Sequence, residues 1–133
     1  MGLDTTHDCW HGPYSSFGRW RNMIGVAAGY ELADHEYPAI GGKPCIIKTV
    51  KTPPNLTEQN FLGHWDTPPD DPLLVLFAHS DCEGVIRCHD AARLADALDK
   101  LSPKLLNDQW PLTKRFIDGL LKAAEAGEDV EFN

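Results

Sequence analysis

Most of the side chains able to bind a metal or move a proton lie in two short segments. These are His7-Asp8-Cys9-Trp10-His11 and, some seventy residues later, His79-Ser80-Asp81-Cys82-Glu83-Gly84. His7, His11, His79 and His89, and Cys9, Cys82 and Cys88, fall in these clusters or just after the second. Cys9 and His11 form a CxH pair, and His79 and Cys82 an HxxC pair. Together they offer the two-sulfur, two-nitrogen set that Zn2+ accepts in tetrahedral geometry. A zinc site shared by Cys9, His11, His79 and Cys82 is the sharpest chemical expectation, and it requires the two segments to lie side by side. The competing reading makes the cysteines small buried hydrophobes and the histidines hydrogen-bonding groups at helix-loop junctions.

Two other chemistries use the same residues. Residues 79 to 90 align with a calcium loop of the EF-hand type, with Gly84 at the glycine position, Ile86 at the bridge position, and Asp81, Glu83 and Asp90 at ligand positions. His79 at the first position and Arg87 at the ninth weaken that alignment. Catalysis would use Asp8, Asp81 or Glu83 as general base toward a metal-bound water, as in a metal-dependent hydrolase. It could also use Cys82 as a nucleophile with His79 or His89 as its base. No motif specific to a reaction accompanies these residues, so a binding role is preferred to an enzymatic one. Trp10, Tyr14 and Trp65 are candidates to line a pocket for a planar ligand.

These side chains need elements to hold them. Phe17, Trp20, Ile24, Ala27 and Ala28 recur at helical spacing and predict a helix from about 15 to 33, capped by Ser15 or Ser16. The β-branched run 45–50 reads as a strand, and Asn55 or Thr57 can cap a helical turn through Phe61. The order Asp71-Pro72 points to a helix through 73–78, although the seven-residue apolar run from Pro72 to Ala78 also fits a buried strand. Either element delivers the second cluster into a loop turned by Gly84. Helices follow from about 89 to 101 and from Pro111 to a cap at Gly127, and the tail 129–132 alternates like an edge strand. The expected fold is mainly α (α+β), with three to four helices around one core. A small β element is expected to pair 45–50 with 85–87, with 129–132, or with both. Residues 34–70 read as a variable insertion or long loop within one domain spanning 1–133.

Composition narrows the partners. The 133 residues carry 12 Lys and Arg against 20 Asp and Glu, a formal charge of -8, which repels phosphate backbones and argues against nucleic acid. The one basic cluster, Arg19-Trp20-Arg21, is suited to hold a single phosphate or carboxylate. No apolar run approaches the ~20 residues of a membrane span, and the first residues lack a secretory signal pattern, so a cytoplasmic protein with reduced thiols is expected.

Three stretches also carry a resemblance. Met1 to Gly12 with Trp20-Arg21, the central His79-Ser80-Asp81-Cys82-Glu83-Gly84, and Phe116 to Leu120 with Glu128 to Phe132 resemble a group of small uncharacterised proteins of phages and bacteria, especially actinobacteria and their phages. The resemblance implies a phage or bacterial cytoplasmic setting and carries no activity, cofactor or site residue. It leaves host-protein binding and nucleotide sequestration as partner classes, beside a small ligand or metal at the paired clusters.

Overall fold

The computed structural model describes residues 2–37, 41, 45–80 and 82–133. The fold is α+β. Strands β1 (Gly2–Asp4) and β2 (His11–Pro13) form an antiparallel hairpin around a 3-10 turn at Thr6–Asp8. Helix α1 (Tyr14–Ala27) leads into a second hairpin, β3 (Leu32–Tyr37) with β4 (Cys45–Val50). Two short helices follow, α2 (Glu58–Phe61) and α3 (Leu73–Phe77), then β5 (Val85–Ile86) and α4 (Cys88–Lys100). A 3-10 turn at Ser102–Lys104 precedes α5 (Trp110–Ala126), and β6 (Val130–Glu131) pairs antiparallel with β5. Among the described residues, no helix is long and apolar enough to cross a membrane.

Several sequence expectations change here, first among them the helix count, since the described residues form five α-helices where three to four were expected. Strand 45–50 forms, but its partner is 32–37, while the tail pairs with 85–86. The first helix ends at Ala27, six residues before the expected boundary at 33. Gly29, at φ 87°, stops it: its N–H bonds the Val26 carbonyl, and the Tyr30 N–H bonds the Gly25 carbonyl. That double reversal is a Schellman motif, in which the left-handed residue closes the last turn and redirects the chain. Gly127 ends α5 the same way, at φ 69°, with the Glu128 N–H reaching the Ala123 carbonyl. The stretch expected as an insertion contains most of the second hairpin and α2. The α2 cap is the expected Thr57, whose hydroxyl accepts from the Asn60 N–H while the Asn60 side chain accepts from the Thr57 N–H. The ambiguous 73–78 segment is helical, with the Asp71 carboxylate accepting from the Leu73 N–H at 3.0 Å.

An aromatic cluster joins elements distant in sequence. Trp10, Phe17, Trp20, Phe116 and Phe132 are all buried. Ring centroids of Trp20 and Phe116 lie 4.8 Å apart, and Phe17 meets Trp10 and Phe132 edge-on at 5.3 and 5.9 Å. Such offset and edge contacts match the quadrupoles of the rings. The indole N–H of Trp20 is satisfied by the Thr113 hydroxyl at 3.0 Å, which in turn donates to the Gln109 carbonyl at 2.9 Å. The stripe expected on α1 therefore faces the stripe expected on α5.

Candidate functional site

The first cluster is pulled apart by its own hairpin. Alternation along the chain sends Cys9 inward, where it is fully buried against α5; a Cβ added to Gly119 would lie 2.5 Å from its Sγ. Burial pushes the Cys9 thiol up to about 12, so the thiolate that a metal or substrate needs is strongly disfavoured. His11 points outward instead. Its Nδ1 meets the Asp4 carboxylate at 2.8 Å and its Nε2 the Asp8 carboxylate at 2.9 Å. Two carboxylates on the two nitrogens require both ring protons, and the hydrogen bond to Asp4, followed by that to Asp8, raises the His11 pKa. Asp8 is held below its usual range, chiefly by His11. His7 and Asp8 themselves adopt left-handed backbone, at φ 62° and 58°. The turn is fastened by Arg115 Nε donating to the Asp8 carbonyl at 3.1 Å and by His7 against Glu128 at 3.1 Å.

The second cluster is used by the backbone around it. His79 is buried, with Nδ1 2.7 Å from the Ser80 carbonyl, Nε2 2.9 Å from the Val85 carbonyl, and its ring centroid 4.1 Å from that of Phe132. Burial lowers its pKa, against the opposing pull of the two carbonyls. With a carbonyl on each nitrogen, His79 turns no lone pair toward a metal. Cys82 and Glu83 are exposed, and the Cys82 N–H bonds the Ser80 hydroxyl at 3.2 Å. Asp81 lies outside the described residues. Gly84 makes the expected turn at φ 95°, and Val85 and Ile86 pair with the tail instead of a second loop. At the twelfth position of the calcium alignment, Asp90 is buried in the first turn of α4, 3.6 Å from His89, whereas Glu83 is exposed. His89 is half-exposed beside it, so neither histidine offered as a base approaches Cys82 by a hydrogen bond.

Both clusters meet a third segment. Thr5 forms a bridge with Phe132, Asp4 and Asn133 exchange backbone hydrogen bonds, and the Thr6 hydroxyl accepts from the Glu131 N–H. From the other side, the Phe132 N–H bonds the Gly84 carbonyl at 2.9 Å. Residues 130–133 thus hold the clusters in one region. Among the described residues, no hydrogen bond or ion pair joins 7–11 to 79–83, and no three His, Cys, Asp or Glu side chains converge as a metal site requires.

The most suggestive cavity lies elsewhere. Between the first half of α1 and β4 is a cleft of about 440 Å3. Tyr14, Ser15, Arg19 and Arg21 line one side, and Ile47, Lys48 and Thr49 the other. Its origin is local. Gly25 lets β4 approach α1 closely, with Val50 Cγ2 only 2.5 Å from where a Cβ would stand, and Asn22 ties α1 to the Lys48 carbonyl at 2.7 Å. Beyond that seam, toward the N-terminus of α1, Gly18 lines the cleft, and a Cβ there would meet nothing within 4 Å. Arg21 is fixed in place by donating to the Leu76 and His79 carbonyls, with its guanidinium 5.1 Å above the Phe17 ring. Lys48 makes an exposed ion pair with Asp34 at 3.1 Å. Sequence reading singled out Arg19 and Arg21 for a phosphate or carboxylate, and Tyr14 for a planar ligand. The contribution of Lys48 became visible only through packing of β4 on α1. The other two aromatic candidates serve the core, Trp10 buried and Trp65 packed against it. No protein-family model, no curated protein and no solved structure matches the chain.

Proposed function

We propose that this protein is a non-catalytic binding protein for a small anionic ligand, seated in the cleft between α1 and β4. One observation carries the reading: in a chain of net charge -8, every charged side chain that lines this cleft among the described residues is a cation, namely Arg19, Arg21 and Lys48. The start of α1 adds the positive end of a helix dipole, and its first turn holds no acidic residue. Tyr14, Ser15 and Thr49 supply hydroxyls, and the Tyr14 ring and Ile47 supply apolar surface for a planar body. The volume falls in the range of about 300 to 1,000 Å3 usual for small-molecule sites. A phosphate or carboxylate would bind Arg19 and Lys48, displacing Asp34 from an exposed ion pair that contributes little to stability. Such a ligand is of the nucleotide class, so the site suits sequestration of a nucleotide.

The metal and hydrolase readings draw no comparable support. Zinc at Cys9, His11, His79 and Cys82 would require the first hairpin to turn Cys9 out of the core and His79 to give up a carbonyl. Calorimetric titration with adenosine 5′-monophosphate, adenosine and inorganic phosphate tests the binding reading. Saturable binding of the monophosphate is expected, weakened by salt, with adenosine much weaker. Arg19→Ala/Lys48→Ala should weaken it by about tenfold or more, the loss of about 1.4 kcal/mol. Failure of both anions to bind, or binding untouched by the double substitution, would overturn the assignment.

A further inference from the structure

We propose that Asp34 is a built-in competitor for the anion of the α1/β4 cleft: its carboxylate, held on the Lys48 ammonium, opposes a ligand phosphate there and so sets how tightly the site binds. The inference rests on the reading of this cleft as an anion site. Two of the cations that line it stand in different states. Arg19 has no carboxylate within ion-pair distance among the described residues, and its Nη2 meets the Ser16 hydroxyl at 3.5 Å. Lys48 Nζ, in contrast, lies 3.1 Å from an Asp34 oxygen. One cation of the cleft is open to a ligand and the other already carries an anion.

Strand register produces this pairing. Asp34 and Lys48 stand directly opposite one another in the β3/β4 ladder, so their side chains leave the same face of the hairpin. The Lys48 backbone is tied to α1 by Asn22, which donates to its carbonyl at 2.7 Å, and Ile47, Lys48 and Thr49 form the cleft wall. The strand therefore stays in place while the flexible ammonium stem is free to move. A phosphate that reaches Lys48 either displaces the Asp34 carboxylate or sits beside it. The first forfeits the ion pair and the second sets two anions together, and both weaken binding. With the two side chains 68 and 63% exposed, the pair is screened by water, so the effect is that of a surface ion pair, about two- to fivefold in affinity.

Calorimetric titration of the full chain with adenosine 5′-monophosphate tests the competitor, with circular dichroism as the control for folding. Asp34→Asn should bind about two- to fivefold more tightly than the wild type, and Asp34→Glu, which keeps the carboxylate, should bind as the wild type does. In a Lys48→Ala background Asp34→Asn should change nothing, because the contact through which it acts is gone. Three results would overturn the inference and leave the cleft reading standing: wild-type binding unchanged by Asp34→Asn, an equal gain from Asp34→Glu, or an equal gain in the Lys48→Ala background, as a field spread over the whole acidic surface would give. Monophosphate bound by none of these proteins overturns the cleft reading, and this inference with it.

Discussion

Both ring nitrogens of His11 face carboxylates and both of His79 face carbonyls, yet their titrations move in opposite directions: the hydrogen bonds to Asp4 and Asp8 raise His11, whereas burial lowers His79. The His11 pKa is raised above 6.5, so its contribution to stability is fully present below 6.5 and is lost as pH rises through the folded-state value. Its partner Asp8 is lowered below 3.8, and that contribution is present above 3.8 and lost as pH falls through the lowered value. The clamp is therefore strongest between these limits. His79 works against it: its lowered pKa lets the unfolded chain take up a proton first, so stability falls as pH drops below 6.5. Replacing His11 isolates its part, because His79 is common to both proteins. His11→Gln should lower the urea midpoint more at about pH 5 than at about pH 8, with the difference shrinking in high salt because the clamp is exposed. Equal losses at both pH values would show that His11 is not held as the imidazolium. The sequence announced that these histidines were unusual but not why, since Asp4 is a cross-strand neighbour of His11 and Val85 reaches His79 only after the chain turns at Gly84.

At the scale of elements, glycine decides where helices stop and where they touch strands. Gly29 ends α1 because a left-handed residue costs a glycine nothing; the sequence reading carried the helix through it to about 33, the apolar stripe outweighing its propensity penalty. The α4 and α5 boundaries were legible because capping signals and periodicity agreed. Strand partners were not, since strands as short as Val85–Ile86 carry no register information and pairing is settled by what each hairpin packs upon. Gly25 shows the second role. It is buried at the seam between α1 and β4, beside the cleft between these elements, and a methyl there would stand 2.5 Å from Val50 Cγ2. Gly25→Ala gains helix propensity, roughly 1 kcal/mol, but forces the hairpin outward at a cost of roughly 1 to 3 kcal/mol. A net loss in urea unfolding is expected, and Val50→Ala should offset part of it in the double variant. If the two losses simply added, the seam would not be in contact at these atoms.

For the molecule as a whole, Phe132 is the piece on which distant segments converge. It is buried, it bridges to Thr5, its N–H bonds the Gly84 carbonyl, and its ring touches those of Phe17 and His79. The expectation that the two polar clusters would lie close rested on metal chemistry. What brings them into one region in this structure is an apolar ring with a short strand, invisible to a search for ligands because Phe132 carries no chemistry. Removing the ring should therefore act at both clusters together. Phe132→Ala should cost about 3 to 5 kcal/mol of stability, as for other buried aromatic truncations. The distribution of that loss is more diagnostic than its size. Hydrogen exchange should show the Thr5 N–H, bonded to the Trp10 carbonyl, and the Val85 N–H, bonded to the Leu62 carbonyl, losing protection in parallel. If one amide opened while the other kept its native protection, the first hairpin and the 79–86 segment would be separate units, each held by its own contacts with the helices instead of by the strand between them.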